Sequence, residues 1–370
     1  MSFLPLDRGQ LGLPNVGNSC YLNSTIQCLA GTQELIEYFY NTTKDNDNKK
    51  IKQYQIDLNT IKTIKKNKTE NKKQLVEAWV NLIGQLWGDK AQIKQVNPIP
   101  FYKLIGQVAN ESKIAISISG GQNDFQEFLI LLLDSLHDAL SRETIMKISG
   151  TVENSMDKMS LMAYKNFIQH FENDYSVFVK LFIGQIKTHT IGVCGHESII
   201  FDPVKFFPLI VPHSEKPLKL EQLFINFISE TILKINDDGN DERWFCEKCD
   251  TKVNAKTINS IWELPKYLII SLGRYQYFPR MTKINSQVVY PLENFDMTPF
   301  CSGFKNKQMK YNLYAVSNHF GSQMGGHYTA FRKNPDNNWY HFNDNSVEKV
   351  DEPYKHIINN GAYCLFYQLN

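Results

Sequence analysis

Cys20 stands where a turn-rich stretch gives way to helical spacing. Gly12, Pro14 and Gly17 mark a tight loop before it. Asn18 and Ser19 are helix N-cap residue types, and Leu22, Ile26 and Leu29 then recur at helical intervals. The spacing therefore predicts a helix from Cys20 to about Ala30, with the thiol in its first turn. Orphan backbone N–H groups and the positive end of the helix dipole favour negative charge there. Such a thiol can fall from about 8.5 to between ~3.5 and ~7.5, which supplies thiolate at neutral pH. A small core cysteine could open an ordinary helix in the same way, but Asn15 and Asn18 have little reason to crowd a purely structural start. A thiolate nucleophile needs an imidazole to take and return its proton, and a third group to fix the imidazole. Of nine histidines, His319 and His327 lie in one segment with glycine neighbours. The residue types leave the choice between those two open.

The elements that must position these groups can be read in outline. Hydrophobic residues make up 42% of the 370, and charged residues 21%, as in soluble globular proteins. A formal charge of +2 gives no support to nucleic-acid binding. No basic-then-apolar leader is seen, and apolar runs such as Leu129 to Leu133 are too short for a membrane span. Seven thinly spread cysteines argue against a disulfide framework and for a reducing compartment, so a cytoplasmic or nuclear location is expected; a monomer is a separate expectation. Further helices are predicted at Gln33–Tyr40, at Leu75–Trp87 and from Asp124 to about Leu140, where Asp124 and Glu127 form a capping-box-like start. Cys28 reads as a packed core thiol. Pro98-Ile99-Pro100 reads as a break. Residues 41–73, rich in Asn, Lys and Thr, read as a solvated insertion, largely disordered or weakly helical. From Phe178 onward the runs are short and alternating. Val179–Cys194, Phe201–Val211 and Tyr267–Tyr277 are predicted strands, with a helix near Leu220–Glu230. Alternation through Leu313, Ala315 and Ser317, and through Tyr328, Ala330 and Arg332, predicts two more strands. Gly325 and Gly326 would let the backbone come close to a substrate just before His327.

Gly12 to Gln27 resembles the Cys box of the ubiquitin-specific proteases, papain-like cysteine deubiquitinating enzymes. Every fixed position of G-L-x-N-x-G-N-(S/T)-C-(Y/F)-x-N is present. Gly120 to Leu129 resembles the second box of that family, with Asn123 and Phe125 as departures. Tyr311 to Tyr328 resembles its His box. The resemblance implies an α+β, papain-like fold shaped as a right hand: a helical thumb, β fingers and a β palm. It implies Cys20 as nucleophile, His327 as the catalytic imidazole, and Asn343 as the group that orients it, with adjacent Asp344 able to share that role. Asn15 and the Cys20 backbone N–H are the implied oxyanion donors. Gln122, Asp124, Gly326, Tyr328 and a supporting His319 are the implied residues around the bound ubiquitin tail. Ubiquitin and its conjugates are then the expected partners, and hydrolysis of the isopeptide bond after the last glycine of ubiquitin the expected reaction. A protease for a ubiquitin-like modifier, or a non-catalytic ubiquitin-binding module, are the alternatives.

In domain terms the resemblance implies a lead-in at 1–11 and a catalytic domain at 12–368. Within it the thumb is 12–175, the fingers are 180–200 and 225–262, and the palm is 201–224 and 263–368. The fingers of the family hold a structural zinc between two Cys-x-x-Cys pairs. Here Cys246 and Cys249 form one pair, but the other reads Ile191-Gly192-Val193-Cys194. Cys194, Cys246 and Cys249 thus give three ligands; His189 or His196 could be a fourth, but neither has the usual spacing. The expectation is an incomplete site with substoichiometric zinc, and no cofactor is required.

Overall fold

A computed structural model describes residues 7–44, 50–60, 70–89, 91–114, 123–236, 239–276, 282–303, 308–322 and 325–370. Helices α1 (Cys20–Leu29), α2 (Gln33–Tyr40), α3 (Gln53–Thr60), α4 (Glu70–Leu86), α5 (Ile99–Glu111) and α6 (Phe125–Leu140) form the first layer. α1 is central and packs on α6, with all ten of its residues buried. α6 begins as its sequence requires: Asp124 Oδ1 accepts from the N–H groups of Gln126 at 2.7 Å and Glu127 at 3.3 Å.

Against this layer lies a mixed sheet. Its strands run in the order Ser346–Val350, Trp339–Asn343, Gly325–Lys333, Lys310–Ser322, Ala362–Leu369, Tyr267–Gly273 and Phe207–Ile210. Only the last pair is parallel. Alternation along a strand decides which side each residue serves. Tyr267, Ile269, Cys364 and Phe366 join the core shared with the helices. Leu268, Ile270, Leu365 and Tyr367 join a second core, covered by α9 (Leu220–Phe227). The central strands are therefore buried on both faces, and the strand bearing His327 is clamped between α1 and its neighbours. A separate antiparallel sheet orders Glu197–Val204, Gly184–Gly192, Ala255–Glu263 and Glu230–Leu233. The ribbon Trp244–Cys246 and Thr251–Val253 stands near its tip.

Several expectations need correction. The described part of 41–73 is built into the fold: α3 packs on α2 and α6, Tyr54 and Asp57 are buried, and Tyr38 donates to Asp57 at 2.6 Å. Pro98-Ile99-Pro100 opens α5 instead of ending a segment, because proline in the first helical turn loses no hydrogen bond. Val179 does not begin a strand. The apolar run forms α8 (Val177–Phe182), whose cap Ser176 accepts from the Phe178 N–H at 3.1 Å, and the strand starts at Gly184. The Phe201–Val211 run divides between two sheets. α7 (Ser155–Phe171) escaped the sequence reading. It buries only Ala163, against Phe201 and Trp262 of the second sheet.

Candidate active site

Two strand ends and two loops converge on the N-terminus of α1. Cys20 is 8% exposed, and the Tyr328 N–H points at its sulfur. Burial pushes the thiol above its ordinary value. The nearby Asp344 charge adds to this, and the backbone N–H groups of Tyr328, Tyr21 and Cys20 pull the other way without cancelling it. The expectation of a thiol lowered by the helix start is therefore corrected: desolvation outweighs the N–H groups in the resting site. Nor does a side chain cap the helix as expected. Asn18 turns into the left-handed region at φ 52°, and Ser19 Oγ instead accepts from the Val16 N–H at 2.9 Å.

His327 directly precedes Tyr328, whose N–H meets the thiol, on the strand Gly325–Lys333. Its Nε2 lies 2.6 Å from Asn343 Oδ1. A carboxamide oxygen can only accept, so Nε2 carries the proton and Nδ1 is left as the base. Among the described residues no hydrogen bond joins the thiol to His327, a separation common before substrate closes a site.

Asp344 does not touch the imidazole through any described hydrogen bond. Its carboxylate accepts from Asn15 Nδ2 at 2.9 Å and from Asn23 Nδ2 at 2.6 Å. Asn15 is fixed from its other end as well, since Oδ1 accepts from the N–H groups of Gly17 at 3.2 Å and Ser19 at 3.1 Å. The carboxamide is thus locked with its NH₂ toward Asp344, and one of its two hydrogens remains for an oxyanion. Gly12 permits this arrangement: a Cβ there would meet the Asp344 carbonyl oxygen at 2.5 Å. The two adjacent residues, which the sequence left able to share one role, divide into two: Asn343 serves the imidazole and Asp344 serves the asparagines.

Asn23 was not singled out by sequence reasoning. It is 3% exposed, also donates to the Leu13 carbonyl at 3.2 Å, and accepts from the Tyr102 hydroxyl. Its signal was its place one helical turn past Cys20, a polar residue on a buried face. Ser24 joins the same helix to the histidine strand, bonding Ser317 Oγ at 2.8 Å and the Thr329 carbonyl at 2.9 Å.

On the far side of the cleft, a Cβ on Gly326 would meet His319 Nε2 at 2.2 Å. His319 stacks on Tyr328 with ring centroids 4.4 Å apart, and its Nδ1 meets the Tyr275 hydroxyl at 3.2 Å. Asp124 Oδ2 accepts from Tyr363 at 2.5 Å and Tyr328 at 3.5 Å, so this carboxylate caps α6 and ties it to the sheet. Gln122 lies outside the described residues. Burial, with help from Lys283 and His327, lowers His319 from 6.5 to about 4, so the folded ring is neutral. Between those values the unfolded chain binds more protons than the folded one, and stability is lost as pH falls through that window. Urea midpoints at pH 7 and pH 5 should therefore differ less in His319→Gln than in the parent. Equal differences in the two proteins would contradict this reading of the ring.

The fingers hold a second cluster. Donor atoms of Cys194, His196, Cys246 and Cys249 all lie within 4.8 Å of one another. Cys194 and Cys246 sulfurs are 3.8 Å apart, and His196 Nδ1 is 3.4 Å from Cys246 and 3.3 Å from Cys249. A zinc tetrahedron with Zn–S of about 2.3 Å and Zn–N of about 2.0–2.1 Å has S···S edges of about 3.8 Å and S···N edges of about 3.5 Å. The donor set fits that metal. The turn at Gly195, φ 77°, carries His196 back beside Cys194, so a fourth donor joins the three cysteines named from the sequence. His189 is turned away, its Nε2 on Glu197 at 2.8 Å.

Comparison with known proteins places this geometry. The profile of the family described as ubiquitin carboxyl-terminal hydrolase matches residues 11–367. The chain is 33% identical over 372 residues to ubiquitin carboxyl-terminal hydrolase Usp2 of Drosophila melanogaster, covering 97% of this chain and 35% of the relative. It is 32% identical over 368 residues to ubiquitin carboxyl-terminal hydrolase 2 of Homo sapiens, covering 98% and 55% respectively. The chain thus spans about a third to about half the length of these curated relatives. Among solved structures, the SAGA Ubp8/Sgf11/Sus1/Sgf73 DUB module bound to ubiquitin aldehyde shares the fold, with TM-score 0.68 at 18% identity over 98% of this chain and 70% of that one.

Proposed function

The chain belongs to the ubiquitin carboxyl-terminal hydrolase family, and on that premise we propose that it is a thiol-dependent deubiquitinase cutting the bond between the C-terminal glycine of ubiquitin and a lysine amine. The observation that carries this reading is the 2.6 Å His327–Asn343 pair, one residue from the N–H that meets the Cys20 thiol. His327 Nδ1 takes the thiol proton as sulfur attacks the glycine carbonyl. The oxyanion forms against the second Asn15 N–H and the Cys20 N–H. The imidazolium then protonates the departing lysine amine, leaving a thioester on Cys20. Water, deprotonated by the same nitrogen, releases ubiquitin. Asn343 Oδ1 holds the imidazole in one tautomer throughout. Because the resting thiol is protonated, thiolate is made only as the proton moves to His327. A Cβ on Gly326 would strike His319 Nε2, so this position, next to His327, has room only for glycine. Turnover of a fluorogenic C-terminal amide of ubiquitin, beside equivalent amides of ubiquitin-like modifiers, tests the proposal. Cleavage of a modifier amide with the ubiquitin amide intact would overturn the substrate assignment.

The finger cluster is proposed to hold one structural zinc through Cys194, His196, Cys246 and Cys249. A zinc closed by four protein ligands contributes folding free energy and no chemistry at the cleft. Metal analysis after dialysis should find one zinc per chain, and chelation should lower Tm. His196→Ala should release the metal more readily, while His189→Ala should not. A metal-free protein whose Tm ignores chelators would contradict the assignment.

A further inference from the structure

Arg332 lies five residues past His327 and is completely buried. Among the described residues it forms no ion pair. A buried charge is costly unless hydrogen bonds replace its lost hydration, and here oxygens do so. Nε donates to Asn334 Oδ1 at 3.0 Å, one terminal nitrogen donates to the Gln27 side-chain oxygen at 3.0 Å and carbonyl at 3.3 Å, and the other donates to the Gly9 carbonyl. The guanidinium carbon is 4.5 Å from the Phe342 ring centroid and 5.0 Å from that of Trp87. Phe342 immediately precedes Asn343. Gln27 lies in α1, two turns beyond Cys20.

The segment held at Gly9 leads straight to the site. Asn334 Nδ2 also donates to the Gly9 carbonyl at 2.9 Å, and a Cβ on Gly9 would strike the Trp87 ring. Gln27 Nε2 donates to the Leu11 carbonyl at 3.0 Å, and the Leu13 N–H donates to the Asp344 carbonyl at 2.9 Å. Two residues later the strap reaches Asn15. An apolar side chain could fill the same space, but only a planar fork of donors fixes where these carbonyls sit.

We propose that Arg332 is a positioning residue for the catalytic centre: by gripping Gly9, Gln27 and the face of Phe342, it sets the strap that presents Asn15 and holds the Asn343–Asp344 turn. This rests on the reading of the Cys20 site as a hydrolase. The test is steady-state kinetics on the ubiquitin C-terminal amide, with amide hydrogen exchange at Leu13, in the parent, Arg332→Met, Arg332→Lys and Asn334→Ala. A displacement of this kind costs up to about 10²-fold. Arg332→Met should lower kcat ten- to a hundred-fold, on the order of that range, with KM nearly unchanged and Leu13 exchanging faster. Lysine should not rescue it, since one ammonium cannot span the fork. A folded Arg332→Met with parental kcat, or full rescue by lysine, would overturn the proposal. If Arg332→Met does not fold, Asn334→Ala decides: lower kcat with faster Leu13 exchange supports the proposal, and parental values of both overturn it. An inactive parent would count against the hydrolase reading, whereas the exchange comparison reports on the strap without any turnover.

Discussion

Cys20→Ala is expected to abolish turnover, with a fall in kcat of at least about 10⁴-fold, as when a nucleophile is removed from a comparable catalytic unit. Tm should move little, because the change removes a single sulfur atom and leaves the Cβ methyl in place. No other cysteine can stand in. Cys28 and Cys364 are fully buried, and burial pushes both thiols far up. Cys301 is buried and donates to the Trp262 carbonyl at 3.3 Å. Cys194, Cys246 and Cys249 stand together in the fingers. Ubiquitin binding should survive, since the surfaces around the thiol are untouched. Residual turnover within tenfold of the parent would show that sulfur at position 20 is not the nucleophile.

Asn343→Ala and Asp344→Ala should both be severe, for different reasons. Asn343→Ala removes the acceptor that fixes His327, and should cost about 10²–10⁴-fold in kcat/KM, the range supplied by positioned acid–base catalysis. Asp344→Ala releases Asn15 and Asn23, and should cost about 10²–10³-fold, the effect of losing an oxyanion donor. Thiol reactivity separates them. The Asp344 charge helps raise the Cys20 thiol, so its removal should lower that thiol. The crippled Asp344→Ala enzyme should therefore be alkylated faster at neutral pH than the parent, by a small haloacetamide, with the adduct mapped to Cys20. A nearly normal Asn343→Ala beside a dead Asp344→Ala with unchanged alkylation would assign the imidazole partner to Asp344.

What the sequence revealed was local. The start of α1 at Cys20 and the span of α2 follow from hydrophobic period, and the cap and length of α6 from short-range rules of capping and period. Short apolar runs were ambiguous, which is why Val179–Phe182 was taken into a strand. The prolines at the start of α5 were misjudged because a first-turn proline opens a helix as readily as it breaks one, and the Lys/Asn-rich stretch because composition does not reveal what a segment packs against. The site itself depends on meetings between distant residues. Asn15 and Asp344 are 329 positions apart, and no periodicity predicts that a hairpin turn lands on the loop before α1. Spacing could not choose between His189 and His196 as a fourth ligand, and it is a glycine turn that brings His196 into the cluster. Arg332 read as one more alternating strand residue, and only the fold makes it a buried cation.

The most direct test of the central claim is covalent capture with ubiquitin bearing a C-terminal electrophile, followed by peptide mapping. One adduct, on Cys20, is expected in the parent, and none in Cys20→Ala. An adduct on Cys28 or Cys246, undiminished labelling of Cys20→Ala, or a parent that ignores ubiquitin yet reacts with the probe of another modifier would contradict it.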